Sequence, residues 1–264
     1  NTEKFSHFLF IHMGLLEVYQ WVNSSFDKYT FKNPIGLNRK LPTREGDIIQ
    51  NPGRNAINCT SCLWPKSADG TVPVPYNFSY SYSNDLFPKW ILSILSHPDF
   101  ETLTCVRFVP RAAEADFLNI VSNGGCASLI GKSGGSQIVE LDASGCMSVG
   151  IIEHELIHAL GFYHEQNRSD RDDYVTIHPE NVIPGYLSNF KKYDTNNLGI
   201  EYDYSSVMHY ARDAFSSNRN ITIEPKPNPN VPVGQRNGLS ILDISKINKL
   251  YQCGKGPQPA SFVS

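Results

Sequence analysis

The chain has 264 residues, 40% hydrophobic and 19% charged, with a formal net charge of −3. That length accommodates one large domain, or a domain with an appendage, and there is no internal repeat or low-complexity tract. No run approaches the ~18 uncharged apolar residues of a membrane-spanning helix, and the negative balance argues against nucleic acid or an anionic membrane surface as a partner.

The first 54 residues differ from the rest. They open "NTEKFSHFLF", without an initiating Met, a basic leader or a continuous apolar run, so the expectation is that any signal peptide is already gone. A loosely amphipathic stretch, "HFLFIHMGLLEVYQWVNSSF", precedes "KNPIGLNRKLPTREGDIIQNPGRNA". The latter, rich in Pro, Gly, Asn and basic residues, reads as an exposed connector with a trypsin-like cleavage point at Arg54.

From residue 55 the pattern is mixed α and β. "LFPKWILSILSHPDF" (86–100) has helical spacing, with Ser83, Asn84 and Asp85 as candidate caps. "CVRFVP", "FLNIVS", "CASLIG" and "QIVELD", starting at 105, 117, 126 and 137, read as short strands. "MSVGIIEHELIHALG" is a second helix, terminated by Gly161. A long, weakly patterned stretch follows, in which "IHPENV" is a turn into a short helix. Helical periodicity returns in "LSILDISKINKLYQC" (239–253), and "GKGPQPASFVS" is a loose tail.

Six cysteines, at 59, 62, 105, 126, 146 and 253, could form three bridges in an oxidising compartment. Cys59 and Cys62 lie in "CTSC", but there is no βαβ context for a redox pair and no second pair for a Cys-type zinc site. A structural disulfide is the better reading. Sequons at Asn23, Asn58, Asn77, Asn167 and Asn220 agree with secretion.

The chemistry gathers in "HELIHALGFYHEQNRSDRD", which holds three of the eight histidines. The pattern H-E-x-x-H-x-x-G-x-x-H should arise by chance in roughly one chain of this length in ~100,000, so coincidence is a poor explanation. His154 and His158, four apart on a helix, face the same side and can share a metal. Gly161 lets the chain leave the helix, so that His164 can become the third ligand. Three neutral imidazoles with no fourth Cys or His nearby suit a catalytic Zn²⁺ with an open position. Glu155 is not needed to hold the metal and is placed to accept a proton from an activated water. His7, His12, His97, His178 and His209 have no ligand spacing and read as surface or core residues, His209 as structural.

"HELIHALGFYHEQNRSDRDDYV" with "SSVMHY" (205–210) resembles the astacin family of secreted zinc endopeptidases. The extended signature is matched through Arg168, Asp170, Arg171 and Asp172, and the similarity runs from about residue 55 to Cys253. "NAINCTSCLWPKSADGTVPVPYNFS" further resembles the fish hatching-enzyme group. The resemblance implies an α+β fold with an N-terminal sheet packed on the 86–100 and 148–160 helices. An irregular C-terminal subdomain would end in a long helix, and one zinc ion would lie in the cleft. Met208 would form a turn beneath the metal, and Tyr210 would be a movable ligand that helps hold the oxyanion. Implied bridges are Cys105–Cys253 and Cys126–Cys146, leaving Cys59 with Cys62.

The same resemblance revises the reading of the N-terminal stretch. Residues 1–54 become a propeptide, 55–253 the catalytic domain and 254–264 a tail. A trypsin-like protease would cut after Arg54, and the new N-terminus, Asn55, would be received by Glu165. Asp47 in "REGDII" would bind the zinc of the precursor, with Arg44 where the family has Phe. Arg236, in the polar turn "VGQRNGLS", would favour an acidic residue after the scissile bond of a polypeptide substrate, which the hatching-group likeness suggests is an egg-envelope protein. The rivals are a catalytically dead, protease-shaped binding protein and a zinc hydrolase of small amides.

Overall fold

A computed structural model describes residues 43–49, 60–79 and 86–254. Arg54, Asn55, Cys59, the caps at 83–85 and the tail from 255 lie outside the described residues. Within them the fold is α+β, built on a mixed seven-stranded sheet. Its strands are β1 (Thr43–Arg44), β2 (Ile48–Ile49), β3 (Val72–Phe78), β4 (Val106–Pro110), β5 (Phe117–Val121), β6 (Cys126–Ser128) and β7 (Ser136–Leu141), in spatial order β1-β2-β6-β7-β5-β3-β4.

Strands β3, β4, β5 and β7 run parallel, whereas β6 pairs antiparallel with β7. Parallel neighbours need a crossover. That between β3 and β4 carries helices α1 (Leu86–Leu95) and α2 (Pro98–Glu101). The single helix expected over 86–100 is therefore two, because Pro98 has no N–H for a continuing helix and instead occupies a first-turn position of α2.

Strand β3 is not anticipated by the sequence pattern. Its VPVPYNF sequence carries Pro73 and Pro75, which usually argue against a central strand. Both prolines fall in the stretch paired with β4, while the pairing with β5 begins at Tyr76. Their missing N–H groups thus do not interrupt the β5 ladder, and Val72 and Val74 are fully buried.

The reading of residues 43–49 as exposed connector is also corrected. They form a hairpin whose second strand adds to the sheet beside β6, with Ile48 opposite Ser128. Ile48 is 1% and Ile49 8% exposed, so two large apolar side chains anchor the segment. Burial of that order contributes roughly 1.5–3 kcal/mol per side chain.

The third helix, α3 (Val149–Leu160), packs on β6 and β7, and its N-cap Ser148 accepts a bond from the Ile151 amide at 3.3 Å. Beyond it the chain is mostly short turns. A two-stranded sheet, β8 (Val175–Ile177) with β9 (Ile223–Pro225), encloses a second core of Val182, Phe190, Tyr202 and Phe215. The last helix, α4 (Ile241–Leu250), starts in a capping box in which Ser240 and Asp243 each bond the other's backbone amide.

Disulfides join Cys105 to Cys253 and Cys126 to Cys146, and Cys62 is also disulfide-bonded. The first closes a span of 148 residues between β4 and the end of α4. Replacing both cysteines with Ala should lower the unfolding free energy by about 5 kcal/mol on the loop-closure scale, readable by urea denaturation. Among the described sequons, Asn220 is exposed. Asn167 is fully buried, and its amide donates to the Asn189 and Lys191 carbonyls at 3.1 and 2.6 Å, so it is not an acceptor for a glycan. No described helix is long and apolar enough to cross a membrane.

Candidate metal centre

Helix α3 is buried over nearly its whole length, so the four carbonyls left over at its C-terminus must be paired within the protein. Each finds a donor. Ile157 receives the Phe162 amide, His158 the Gly131 and Gly161 amides, Ala159 the Trp64 indole and Leu160 the Tyr251 hydroxyl. Gly161 takes φ 112°, a left-handed conformation that favours glycine, and turns the chain out of the helix. The ring of donors fixes the helix end that carries His158 and the turn that delivers His164.

The three imidazoles are oriented by their Nδ1 atoms. His154 Nδ1 lies 2.8 Å from the Val207 carbonyl and His158 Nδ1 2.7 Å from that of Phe162. A carbonyl only accepts, so both Nδ1 atoms carry the proton and both Nε2 atoms present a lone pair. His164 Nδ1 meets the Glu45 carboxylate at 2.8 Å. All three Nε2 atoms converge with the Asp47 carboxylate, the four ligand atoms lying within 4.8 Å of one another.

Burial drives the His154 pKa down to about 3 and lowers that of His158, keeping both neutral. At His164 burial is outweighed by Asp47 and Glu45, which raise it to about 9. Asp47 is held well below the usual carboxylate range, its burial overcome by His164. In a buried cluster with His158 Nε2 lacking a hydrogen-bond partner, a divalent cation fits: it would satisfy that nitrogen and take the place of the His164 proton. The donor set of three imidazoles and a carboxylate suits Zn²⁺.

Glu155 is buried, one residue beyond His154. Arg236 is not the solvated arginine usual in a polar turn. Its guanidinium donates to the His209 carbonyl at 3.0 Å and is buried enough to lower its pKa, in a field set by Asp47, Glu155 and Tyr210. Gly150 makes the close approach possible, since a Cβ there would sit 2.2 Å from the Arg236 carbonyl oxygen.

Met208 is buried in the turn 206–210, which Asp243 secures by accepting the Ser206 hydroxyl at 2.6 Å and the Val207 amide at 2.9 Å. His209 is fully buried against the Tyr202 hydroxyl at 2.8 Å, away from the imidazole cluster. The Tyr210 ring lies 4.5 Å from that of His164, and its hydroxyl donates to the Glu45 carbonyl. Burial, then Asp47, raises its pKa well above the ordinary tyrosine value, so it stays a donor.

Glu165 lies behind His164, held by Lys246 at 2.6 Å, Arg168 at 3.1 Å and the Asp203 amide at 2.8 Å. A cavity beside it is lined by Phe162, Tyr163, Arg168, Lys246 and Leu250.

Two site residues escaped sequence reasoning. Glu45 contacts both His164 and Tyr210 across more than a hundred residues, and nothing local marks it. Asp243 carried a usable signal, since S-x-x-D ahead of an apolar helix marks a cap, but its grip on the turn 206–210 is a long-range contact.

Residues 60–252 match the model of the Astacin peptidase family. The chain is 70% identical over 217 residues to embryonic protein UVS.2 of Xenopus laevis, covering 81% of this chain but only 41% of that protein. High choriolytic enzyme 1 of Oryzias latipes is 51% identical over 212 residues, covering 79% of this chain and 77% of the relative. The solved structure of that enzyme, described as a hatching enzyme zinc-protease, superposes with a TM-score of 0.72 over 76% of this chain and 100% of its own. With the signature helix, the converging imidazoles and this extent of similarity together, the chain belongs to the astacin family of metallopeptidases.

Proposed function

We propose that the chain is a secreted zinc endopeptidase held latent by its own N-terminal segment. The observation that carries this is the convergence of His154, His158 and His164 Nε2 on the Asp47 carboxylate, which arrives from a hairpin docked on the sheet edge. Residues 1–54 act as the propeptide, 55–253 as the catalytic domain and 254–264 as a tail.

Zinc, when bound by the three histidines, supplies Lewis-acid polarisation of a carbonyl and a more acidic water. Glu155 takes a proton from the attacking water and returns it to the leaving nitrogen. Once the hairpin departs, the Tyr210 hydroxyl loses its Glu45 acceptor and turns to the developing oxyanion. Arg236, near Glu155 and Tyr210, favours an acidic side chain after the scissile bond.

Removal of β2 exposes the edge of β6, where an extended polypeptide can pair as an added strand. This supports a protein substrate over a small amide, and egg-envelope proteins are the class suggested by relatives named choriolytic enzymes. Cleavage after Arg54 by a trypsin-like protease would free Asn55, whose ammonium joins Glu165 at the cavity by Lys246. The paired cysteines support an oxidising, extracellular setting.

Casein hydrolysis by the full chain, before and after limited trypsin, tests the reading. Activity should appear only after trypsin, vanish with a chelator and return with zinc. If the trypsin-treated chain stays inert with zinc bound, the inactive binding-protein reading replaces this one.

A further inference from the structure

Glu153, on α3 between Ile152 and His154, is fully buried, and neither of its carboxylate oxygens has a hydrogen-bond partner of normal geometry, although the Leu239 backbone amide lies close enough to favour its charged form. Among the described residues no lysine or arginine forms an ion pair with it. A buried carboxylate in that condition is costly unless it is neutralised or compensated.

What faces it is unusual. His97, between α1 and α2, points Nδ1 at Glu153 Oε1 from 3.8 Å and at Asp99 Oδ2 from 3.3 Å, and that nitrogen also lacks a hydrogen bond. All three ligand atoms lie within 4.8 Å of one another. Four ligands about 2.0–2.1 Å from a tetrahedral ion stand about 3.3 Å apart, so small side-chain shifts would enclose one. Gly238 lines the cradle, a Cβ there falling at ordinary contact distance, 3.4 Å from Glu153 Oε2 and 4.0 Å from Asp99 Oδ2. The His97 and Asp99 side chains are 40% and 25% exposed, so the cradle lies just beneath the surface, although His97 Nδ1 itself is covered.

We propose that His97, Asp99 and Glu153 form a second, structural site for a divalent transition-metal ion such as Zn²⁺, tying the α1–α2 corner to the helix that carries His154 and Glu155. The imidazole donor favours such an ion over Ca²⁺ or Mg²⁺, which prefer oxygen ligands. Sequence spacing gave no sign of the site, because Glu153 is more than fifty residues from His97 and meets it only through helix packing.

The full chain, stripped with a chelator and dialysed against zinc, is assayed for bound metal by mass spectrometry. Wild type should hold about two ions, and His97→Ala and Glu153→Gln about one each. The double variant His154→Ala/His158→Ala should also keep about one ion, now at the second site, and the same variant with His97→Ala added none. His97→Ala alters a half-exposed side chain, so its fold should survive, and its melting temperature should lose the rise that the second zinc equivalent produces in wild type and in His154→Ala/His158→Ala. Equal zinc content in wild type, His97→Ala and Glu153→Gln would overturn the proposal.

Discussion

Glu155→Gln should lower kcat/KM of the trypsin-treated chain by about 10²–10⁴-fold while leaving its bound zinc in place. Glutamine keeps the size and one acceptor oxygen but cannot take up a proton at neutral pH. The loss, about 3–5 kcal/mol of transition-state stabilisation, is what a general base usually contributes. The three imidazoles are oriented by the Val207 carbonyl, the Phe162 carbonyl and Glu45, none of which the substitution touches. Metal content should therefore be unchanged in the intact precursor, and in the processed chain it rests on the same three Nε2 atoms. Casein kinetics with metal analysis on the same sample checks both halves. A decrease of less than tenfold would remove Glu155 from the proton-transfer role.

Asp47→Ala should make the uncleaved precursor hydrolyse casein about 10–100-fold faster than the wild-type precursor. That range corresponds to losing one charge-assisted contact, about 1.5–3 kcal/mol. Asp47 Oδ2 approaches His154 Nε2 at 3.1 Å and His164 Nε2 at 3.2 Å, so it stands where a substrate carbonyl or water must enter. Activity should remain below that of the trypsin-treated chain. Ile48 and Ile49 still bury their side chains beside β6, and Glu45 still engages His164 and Tyr210. These anchors bear on Arg44 standing where the family has Phe: the apolar hold on the segment comes from two isoleucines after the aspartate. An Asp47→Ala chain as silent as wild type would remove Asp47 from the latency role proposed for it.

The centre of the site was legible because its geometry is local. His154 and His158 share a helix face at four-residue spacing, and Gly161 permits the one turn that brings His164 round, so three ligand candidates follow from eleven consecutive residues. Helix α4 was legible from its own helical periodicity, and strands β4 to β7 as short apolar runs between Gly-containing or polar turns. Tertiary structure decided what depends on contacts distant in sequence. It seated the proline-bearing β3 between β4 and β5, docked residues 43–49 on the sheet edge and linked Asp243 to the turn at Met208. Packing also brought Glu45 to His164 and His97 to Glu153, pairings with no spacing to betray them. A helix repeat fixes which side chains share a face, but only packing fixes which face meets which, and there the chain's remaining charges find or fail to find their partners.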